Sequence, residues 1–271
     1  MKDITSLDCI VHTVETKGIK VFGMQKCGTG TLTEYIKDDA RIEFGHHGTF
    51  IDRTISDKSV LKFYDSSVRS AIDRAGVFRR QYKLDNEKVN VAMVRNPFDL
   101  LASFYFHGRN GSNNIGGAYG DSRSSSPGFK KFIRSFETPS SKFHFIAFHL
   151  GAFYPYYAVG GCGDGQFMPD YACKLEHLDT IIEHLGVWDQ AKAEHAAEGL
   201  LSHNSTRPSP NIDMYDDHMV ATVNKFFGYE LEFFGYNIEG STDDRICISK
   251  SEIPNLEESR INFFTKIARG E

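Results

Sequence analysis

The sequence predicts an α/β fold in which a central parallel sheet is flanked by helices. Short apolar runs, typical of buried parallel strands, occur near residues 19–24, 42–44, 89–94 and 171–175. Helical patterns occur near residues 29–37, 65–80, 97–107, 129–137, 177–186 and 215–227. This alternation favours a parallel sheet with helices on both faces, and it places a ligand at the carboxyl ends of the strands.

Length and charge narrow the class of protein. We expect the 271 residues to form one domain, 1–271, with a substantial core. A net charge of -5 argues against a surface built to bind nucleic acid or another polyanion. No stretch approaches the roughly 20 apolar residues that span a bilayer, and no signal peptide is visible. The five cysteines form no C-x-x-C pair, so we expect reduced thiols and a soluble, cytoplasmic chain.

The first apolar run leads into a glycine-rich turn and then a helical segment. Gly23, Gly28 and Gly30 allow successive N–H groups to turn inward, and the helix start adds its positive dipole end. Lys26 adds a full charge. The spacing fits the P-loop pattern G-x-x-x-x-G-K-[ST] only in part, because Thr29 stands at the lysine position. We therefore expect a phosphate site in a P-loop-like three-layer sandwich, without the usual magnesium apparatus.

The third apolar run ends in a second anion-binding pattern. Arg95 follows the strand, and Asn96-Pro97 breaks it and opens a helix whose first turn carries Asp99. Ser103 lies about two turns past the strand end. An arginine fork and a serine hydroxyl suit a terminal phosphate monoester.

These two segments resemble those of sulfotransferases that use 3′-phosphoadenosine 5′-phosphosulfate (PAPS), and most closely the carbohydrate and glycosaminoglycan branch. The resemblance implies that residues 25–31 bind the 5′-phosphosulfate and residues 95–103 the 3′-phosphate. Cys27 replaces the usual hydroxyl residue after the lysine, and Gly30 separates Thr29 from Thr31. Adenosine 3′,5′-bisphosphate (PAP) is then the product, and no metal is needed. The predicted nucleotide-binding residues are Gln25, Lys26, Cys27, Gly28, Thr29, Gly30, Thr31, Arg95, Ser103, Ser205, Thr206 and Arg207.

Later segments extend the resemblance to about residues 18–237. Residues 171–178 resemble the family's strand followed by Glu-x-Leu, in which Glu176 is expected to be structural. Residues 203–209 resemble a polar loop over the nucleotide, and residues 215–236 resemble the family's terminal helix. Residues 238–271 are then a C-terminal extension.

The general base is predicted at the end of the second apolar run. Residues 47–52 resemble the His-Val-Ser-Tyr-Leu-Asp segment of uronyl 2-O-sulfotransferases, in which the histidine is the base. His47 is therefore the first choice, with His46 and Glu43 as fallbacks, and Lys26 would stabilise the leaving group. Packing or surface histidines are the plain alternative. No histidine spacing closes a metal site.

The predicted reaction is transfer of a sulfuryl group to an acceptor hydroxyl, in a carbohydrate by the resemblance. Residues 108–128 exceed normal loop lengths and form either an active-site lid or a disordered segment. A P-loop small-molecule kinase and a non-catalytic nucleotide-binding module are the alternatives. The sequence leaves the acceptor's identity and the oligomeric state open.

Overall fold

The computed structural model contains a mixed sheet of five strands with helices beside it. The residues that the structure describes are 17–23, 41–45, 86–109, 126–137, 166–178, 180–181 and 211–255. The strands of the five-stranded sheet are β1 (Ile19–Gly23), β2 (Ile42–Gly45), β3 (Val89–Val94), β4 (Tyr171–Lys174) and β7 (Cys247–Ser249). A separate two-stranded hairpin consists of β5 (Tyr236–Asn237) and β6 (Gly240–Ser241).

The sheet has the strand order β2-β1-β3-β4-β7, in which the first four strands are parallel. β3 lies at the centre and is buried along its whole length, as expected for the apolar run Val-Asn-Val-Ala-Met-Val. The four parallel strands confirm the runs predicted from sequence to within a residue at each end. β7 is antiparallel to β4 and was not predicted.

The helices confirm three of the predicted segments and change their limits. They are α1 (Pro97–Arg109), α2 (Ser126–Arg134) and α3 (Asp217–Phe234), and a 3₁₀ turn (Ser135–Glu137) continues α2. α1 and α2 therefore extend into both ends of the loop predicted at residues 108–128. α3 was expected to end at residue 227, but it passes through Gly228 and ends at Phe234, with Gly235 as its C-cap.

Capping explains where α3 begins and ends. The Asp216 side chain accepts a hydrogen bond from Met219 N, which satisfies one of the free N–H groups of the first turn. Gly235 adopts the left-handed conformation with φ 63°, which glycine reaches without steric cost. A Cβ at Gly235 would also overlap the Asp243 carboxylate.

An aromatic cluster joins the three helices. Tyr105 of α1 lies 5.3 Å from Phe129 of α2, measured between ring centroids, and Phe132 lies 5.2 Å from Phe136. Phe136 in turn lies 6.3 Å from Phe227 of α3. Most pairs meet edge to face, which contributes about 0.5–1.5 kcal/mol beyond area burial. The three helices are thus packed on one another through these rings, in addition to the covalent connections that link them to the strands.

One expectation about the cysteines is wrong. Cys173 and Cys247 lie opposite each other in β4 and β7 and form a disulfide. The spacing rule failed because the bridge joins residues 74 positions apart, and the antiparallel pairing that brings them together has no local signal. The predicted helices at 29–37 and 65–80 lie outside the described residues.

Candidate active site

The strand order places a switch point, where open α/β sheets have their ligand crevice, between the carboxyl ends of β1 and β3. β2 lies on one side of this pair and β4 on the other, so the connection from β1 to β2 and the connection from β3 to β4 leave the carboxyl edge in opposite directions. Gly23, the last residue of β1, is paired with Met93, and β3 ends one residue later. Ligands of open α/β sheets bind at such a switch point. Both predicted phosphate segments follow the strands that border it.

Arg95 leaves the sheet at this edge and Ser103 lies on the helix that follows. Arg95 directly follows β3 and is half-buried. In α1, Leu100, Leu101 and Ala102 are fully buried. Ser103 stays half-buried, four residues after the half-buried Asp99 in the first turn. Residues four apart share a helix face, so Ser103 lies on the partly exposed face of α1.

Asn96 fixes the turn between β3 and α1. Its side-chain oxygen accepts a hydrogen bond from Phe98 N at 3.0 Å, and its carbonyl oxygen accepts one from Leu100 N at 2.8 Å. Asn96 is therefore the N-cap of α1, and Pro97 takes the first helical position, where no N–H is needed. The helix start at Asn96-Pro97 was predicted from the sequence, whereas the role of the Asn96 side chain as its cap was not.

Two further bonds connect Asn96 to distant parts of the chain. Its backbone N–H donates to Glu176 Oε1 at 2.9 Å, and its side-chain Nδ2 donates to the Asn237 carbonyl at 2.7 Å. The second carboxylate oxygen of Glu176 accepts a hydrogen bond from the Tyr236 hydroxyl at 2.9 Å. Asn96 is only 1% exposed, so each bond satisfies a group that water does not reach. Glu176 thus has the structural contacts expected of it.

A buried lysine lies at the end of the neighbouring strand. Lys174, the last residue of β4, is beside Val94 in the sheet and its side chain is 0% exposed. Its Nζ lies 2.5 Å from Asp243 Oδ1 and 3.0 Å from Ser241 Oγ, and 5.1 Å from the centre of the Tyr236 ring. A buried ammonium group needs such partners. This cluster was not predicted from the sequence, in which residues 171–175 were interpreted as an apolar strand.

Two cations share the Asp243 carboxylate. Arg245 Nε lies 2.8 Å from Asp243 Oδ2, and the Arg245 backbone N–H also donates to this carboxylate. Burial raises the pKa of Asp243, but the hydrogen bonds from Arg245 and Lys174 outweigh it and hold the pKa below its ordinary value of 3.8. Asp243 is therefore ionised at neutral pH.

Glu43, one of the two fallback bases, is held by two lysines. Its carboxylate oxygens each lie 2.7 Å from an ammonium group, one from Lys20 and one from Lys88. The hydrogen bonds from Lys20 and Lys88 lower the pKa of Glu43. A carboxylate with a lowered pKa is a weaker proton acceptor, and Lys88 precedes β3, away from the carboxyl edge. These contacts favour a structural role for Glu43.

The structure places only some of the predicted site residues. Glu43, Arg95 and Ser103 are described. The remaining predicted residues lie outside the described ranges: Gln25, Lys26, Cys27, Gly28, Thr29, Gly30, Thr31, His46, His47, Ser205, Thr206 and Arg207. Within the described ranges, no three His, Cys, Asp or Glu side chains are grouped so as to hold a metal ion. In the same part of the chain, no helix is both long and apolar enough to cross a membrane.

Comparison with known proteins identifies a family. The model of a family described as "Sulfotransferase family" matches residues 12–237, which is most of the chain. Searches of the curated proteins and of the solved structures each gave no significant match. The matched range contains both strands that border the crevice, α1 and α3, and it ends at Asn237, the last residue of β5.

Proposed function

The chain belongs to the sulfotransferase family, and we propose that it transfers a sulfuryl group from PAPS to an acceptor hydroxyl, with a carbohydrate as the acceptor. The observation that carries the proposal is the position of Arg95. This residue follows the central strand, beside the crevice at the switch point, and the helix bearing Ser103 begins two residues later. PAPS differs from ordinary adenine nucleotides by its 3′-phosphate, which such a pair can select.

We assign each step of the reaction to a residue. The acceptor oxygen attacks sulfur in line with the bond from sulfur to the bridging oxygen. That bond breaks, PAP leaves with its electron pair, and His47 takes the proton of the acceptor hydroxyl. Lys26 neutralises the charge that develops on the bridging oxygen, and the N–H groups of residues 27–31 bind the 5′-phosphate.

Calorimetric binding tests the donor assignment. We expect the wild-type protein to bind PAP without metal, and to bind it more tightly than 5′-AMP or ATP with magnesium. A preference for ATP with magnesium would instead indicate the kinase. Binding to none of the three nucleotides would contradict both the sulfotransferase and the kinase hypotheses. Tight PAP binding with no sulfate transfer to any acceptor would favour a nucleotide-binding module without turnover.

Variants test the two principal residues. Arg95→Ala should weaken the binding of PAP by roughly 10- to 100-fold, the usual effect of losing a charge-assisted hydrogen bond, and weaken the binding of 5′-AMP far less. Lys131→Ala, which removes an exposed cation from α2, is the matched control and should bind both nucleotides as the wild type does. His47→Ala should bind PAP normally and lose about 10²–10⁴-fold in turnover. Equal weakening of both nucleotides by Arg95→Ala would remove its assigned role.

The acceptor and the compartment are separate questions. The carbohydrate acceptor rests on the resemblance of residues 47–52 to uronyl 2-O-sulfotransferases. A screen of sugars and phenols with labelled PAPS would test it, and transfer only to phenols would reject it.

Disulfides persist mainly in oxidising compartments, so the Cys173–Cys247 bridge favours such a compartment over the cytoplasm expected from sequence.

A further inference from the structure

The segment that contains β5, β6 and β7, residues 236–249, contacts the turn that carries Arg95. All but its first two residues lie beyond the range matched by the family model. We call residues 236–249 the C-terminal brace. Its contacts with the turn are the bond from Asn96 Nδ2 to the Asn237 carbonyl and the bond from Tyr236 to Glu176, whose other oxygen accepts from Asn96 N.

The brace is itself fixed to the sheet and to α3. β7 pairs with β4, and the disulfide joins the two strands. The Lys174 ammonium bonds Ser241 and Asp243 of the brace. Arg245 Nη2 donates to the carbonyl oxygen of Phe233 at the end of α3, at a distance of 2.7 Å. Contacts on two sides therefore set the positions of Tyr236 and Asn237.

Two hydrogen-bond donors of Asn96, the buried residue next to Arg95, depend on the brace: its backbone N–H and its side-chain Nδ2. If the β5–β6 hairpin were displaced, Asn96 Nδ2 would lose its acceptor, the Asn237 carbonyl. The Glu176 carboxylate, which accepts from the Asn96 backbone N–H, would also lose its bond to Tyr236. Because Asn96 directly follows Arg95 and caps α1, the backbone at Arg95 and the start of the Ser103 helix would both shift. Recognition of a phosphate by an arginine fork depends strongly on such geometry.

We propose that the C-terminal brace, acting through Glu176 and Asn96, positions Arg95 and α1 for the 3′-phosphate of the nucleotide. This inference rests on the proposed function. It makes Glu176, Tyr236 and Asn237 positioning residues that touch no nucleotide, and it assigns a role to a segment that lies mostly outside the family match.

The test compares dissociation constants for PAP and 5′-AMP, since a general loss of stability would weaken both alike. Glu176→Ala should raise the dissociation constant for PAP about 10-fold and leave the dissociation constant for 5′-AMP within about twofold of the wild-type value. Glu176→Gln should restore most of the affinity for PAP, because its amide oxygen can accept from Asn96 N and its NH₂ group can donate to the Tyr236 oxygen. Tyr236→Phe should weaken PAP by a smaller factor, about two- to fivefold.

Tyr229→Phe is the matched control. It removes another tyrosine hydroxyl from the same part of the chain, one that donates to the Pro254 carbonyl at 3.3 Å and has no bond to Glu176. We expect it to leave the ratio of the two dissociation constants unchanged. Should Glu176→Ala fail to fold, Tyr236→Phe against Tyr229→Phe decides the question.

The outcomes separate the two proposals. If the wild-type protein binds PAP no better than 5′-AMP, the proposed function fails and the brace's role fails with it. If the wild-type protein prefers PAP and the Glu176 and Tyr236 variants keep the wild-type ratio, only the role of the brace is overturned. A selective loss of PAP affinity in both variants, with rescue by Glu176→Gln, supports it.

Discussion

Replacement of Asp243 by alanine should destabilise the protein far more than replacement of its partner Lys174 by methionine. The two side chains differ in exposure, since Lys174 is 0% exposed and Asp243 is 29% exposed. Asp243→Ala leaves a buried ammonium group with the Ser241 hydroxyl and the Tyr236 ring as its remaining contacts among the described residues. Lys174→Met puts an apolar chain in the buried position and leaves Asp243 bonded to Arg245.

The magnitudes follow from this difference. Removing one partner of a buried ion pair costs about 3–5 kcal/mol, and the partial exposure of Asp243 places the cost for this pair at about 3 kcal/mol. Lys174→Met should change the free energy of unfolding by less than about 1 kcal/mol, because an apolar replacement creates no uncompensated buried charge. A domain is usually stable by about 5–15 kcal/mol, so both variants should fold.

Urea unfolding at pH 7, followed by far-ultraviolet circular dichroism, measures both changes. Lys130→Ala is the control for a surface ion pair, because Lys130 pairs with Asp216 and both side chains are about 40% exposed. It should cost less than about 1 kcal/mol. Equal costs for Asp243→Ala and Lys174→Met, or a greater cost for the methionine variant, would refute the argument from burial.

Three further predictions concern stability. Reduction of the Cys173–Cys247 bridge, or Cys247→Ser, should cost about 2–4 kcal/mol and lower the melting temperature by roughly 5–15 °C; identical melting with and without reductant would contradict this. Asp216→Ala removes the N-cap of α3 and should cost about 1 kcal/mol in urea unfolding, whereas Asp216→Asn should keep most of the cap. Since the folded-state pKa of Asp243 is lowered, its stabilising contribution is present above its unfolded pKa of about 3.8 and is lost as the pH falls through the folded value. Acid titration of the wild-type protein beside Lys174→Met should therefore show a smaller loss of stability below about pH 4 in the variant, and parallel curves would reject this assignment.

The parallel part of the fold could be predicted from sequence because its signals are local. Each of the four strands is a short apolar run, and β3 is buried at every position. The start of α1 was also legible, since an asparagine before a proline is a typical helix beginning. Predictions failed where a local signal was overridden, as at Gly228, whose side-chain position faces open space and interrupts nothing in α3.

The candidate site likewise has features that could be predicted from the sequence and features that could not. The positions of Arg95 and Ser103 after a buried strand, and of a glycine-rich segment after another, could be predicted from the sequence, because turn and helix-start chemistry depends on neighbouring residues. The folded structure was needed to show that these two strands are adjacent, that Lys174 is buried against Asp243, and that Glu176 and Asn237 hold Asn96. These pairings join residues 69 to 141 positions apart. A lysine or an asparagine has no local pattern that reveals whether a distant segment will exclude water from it, and that exclusion is what gives these contacts their energy.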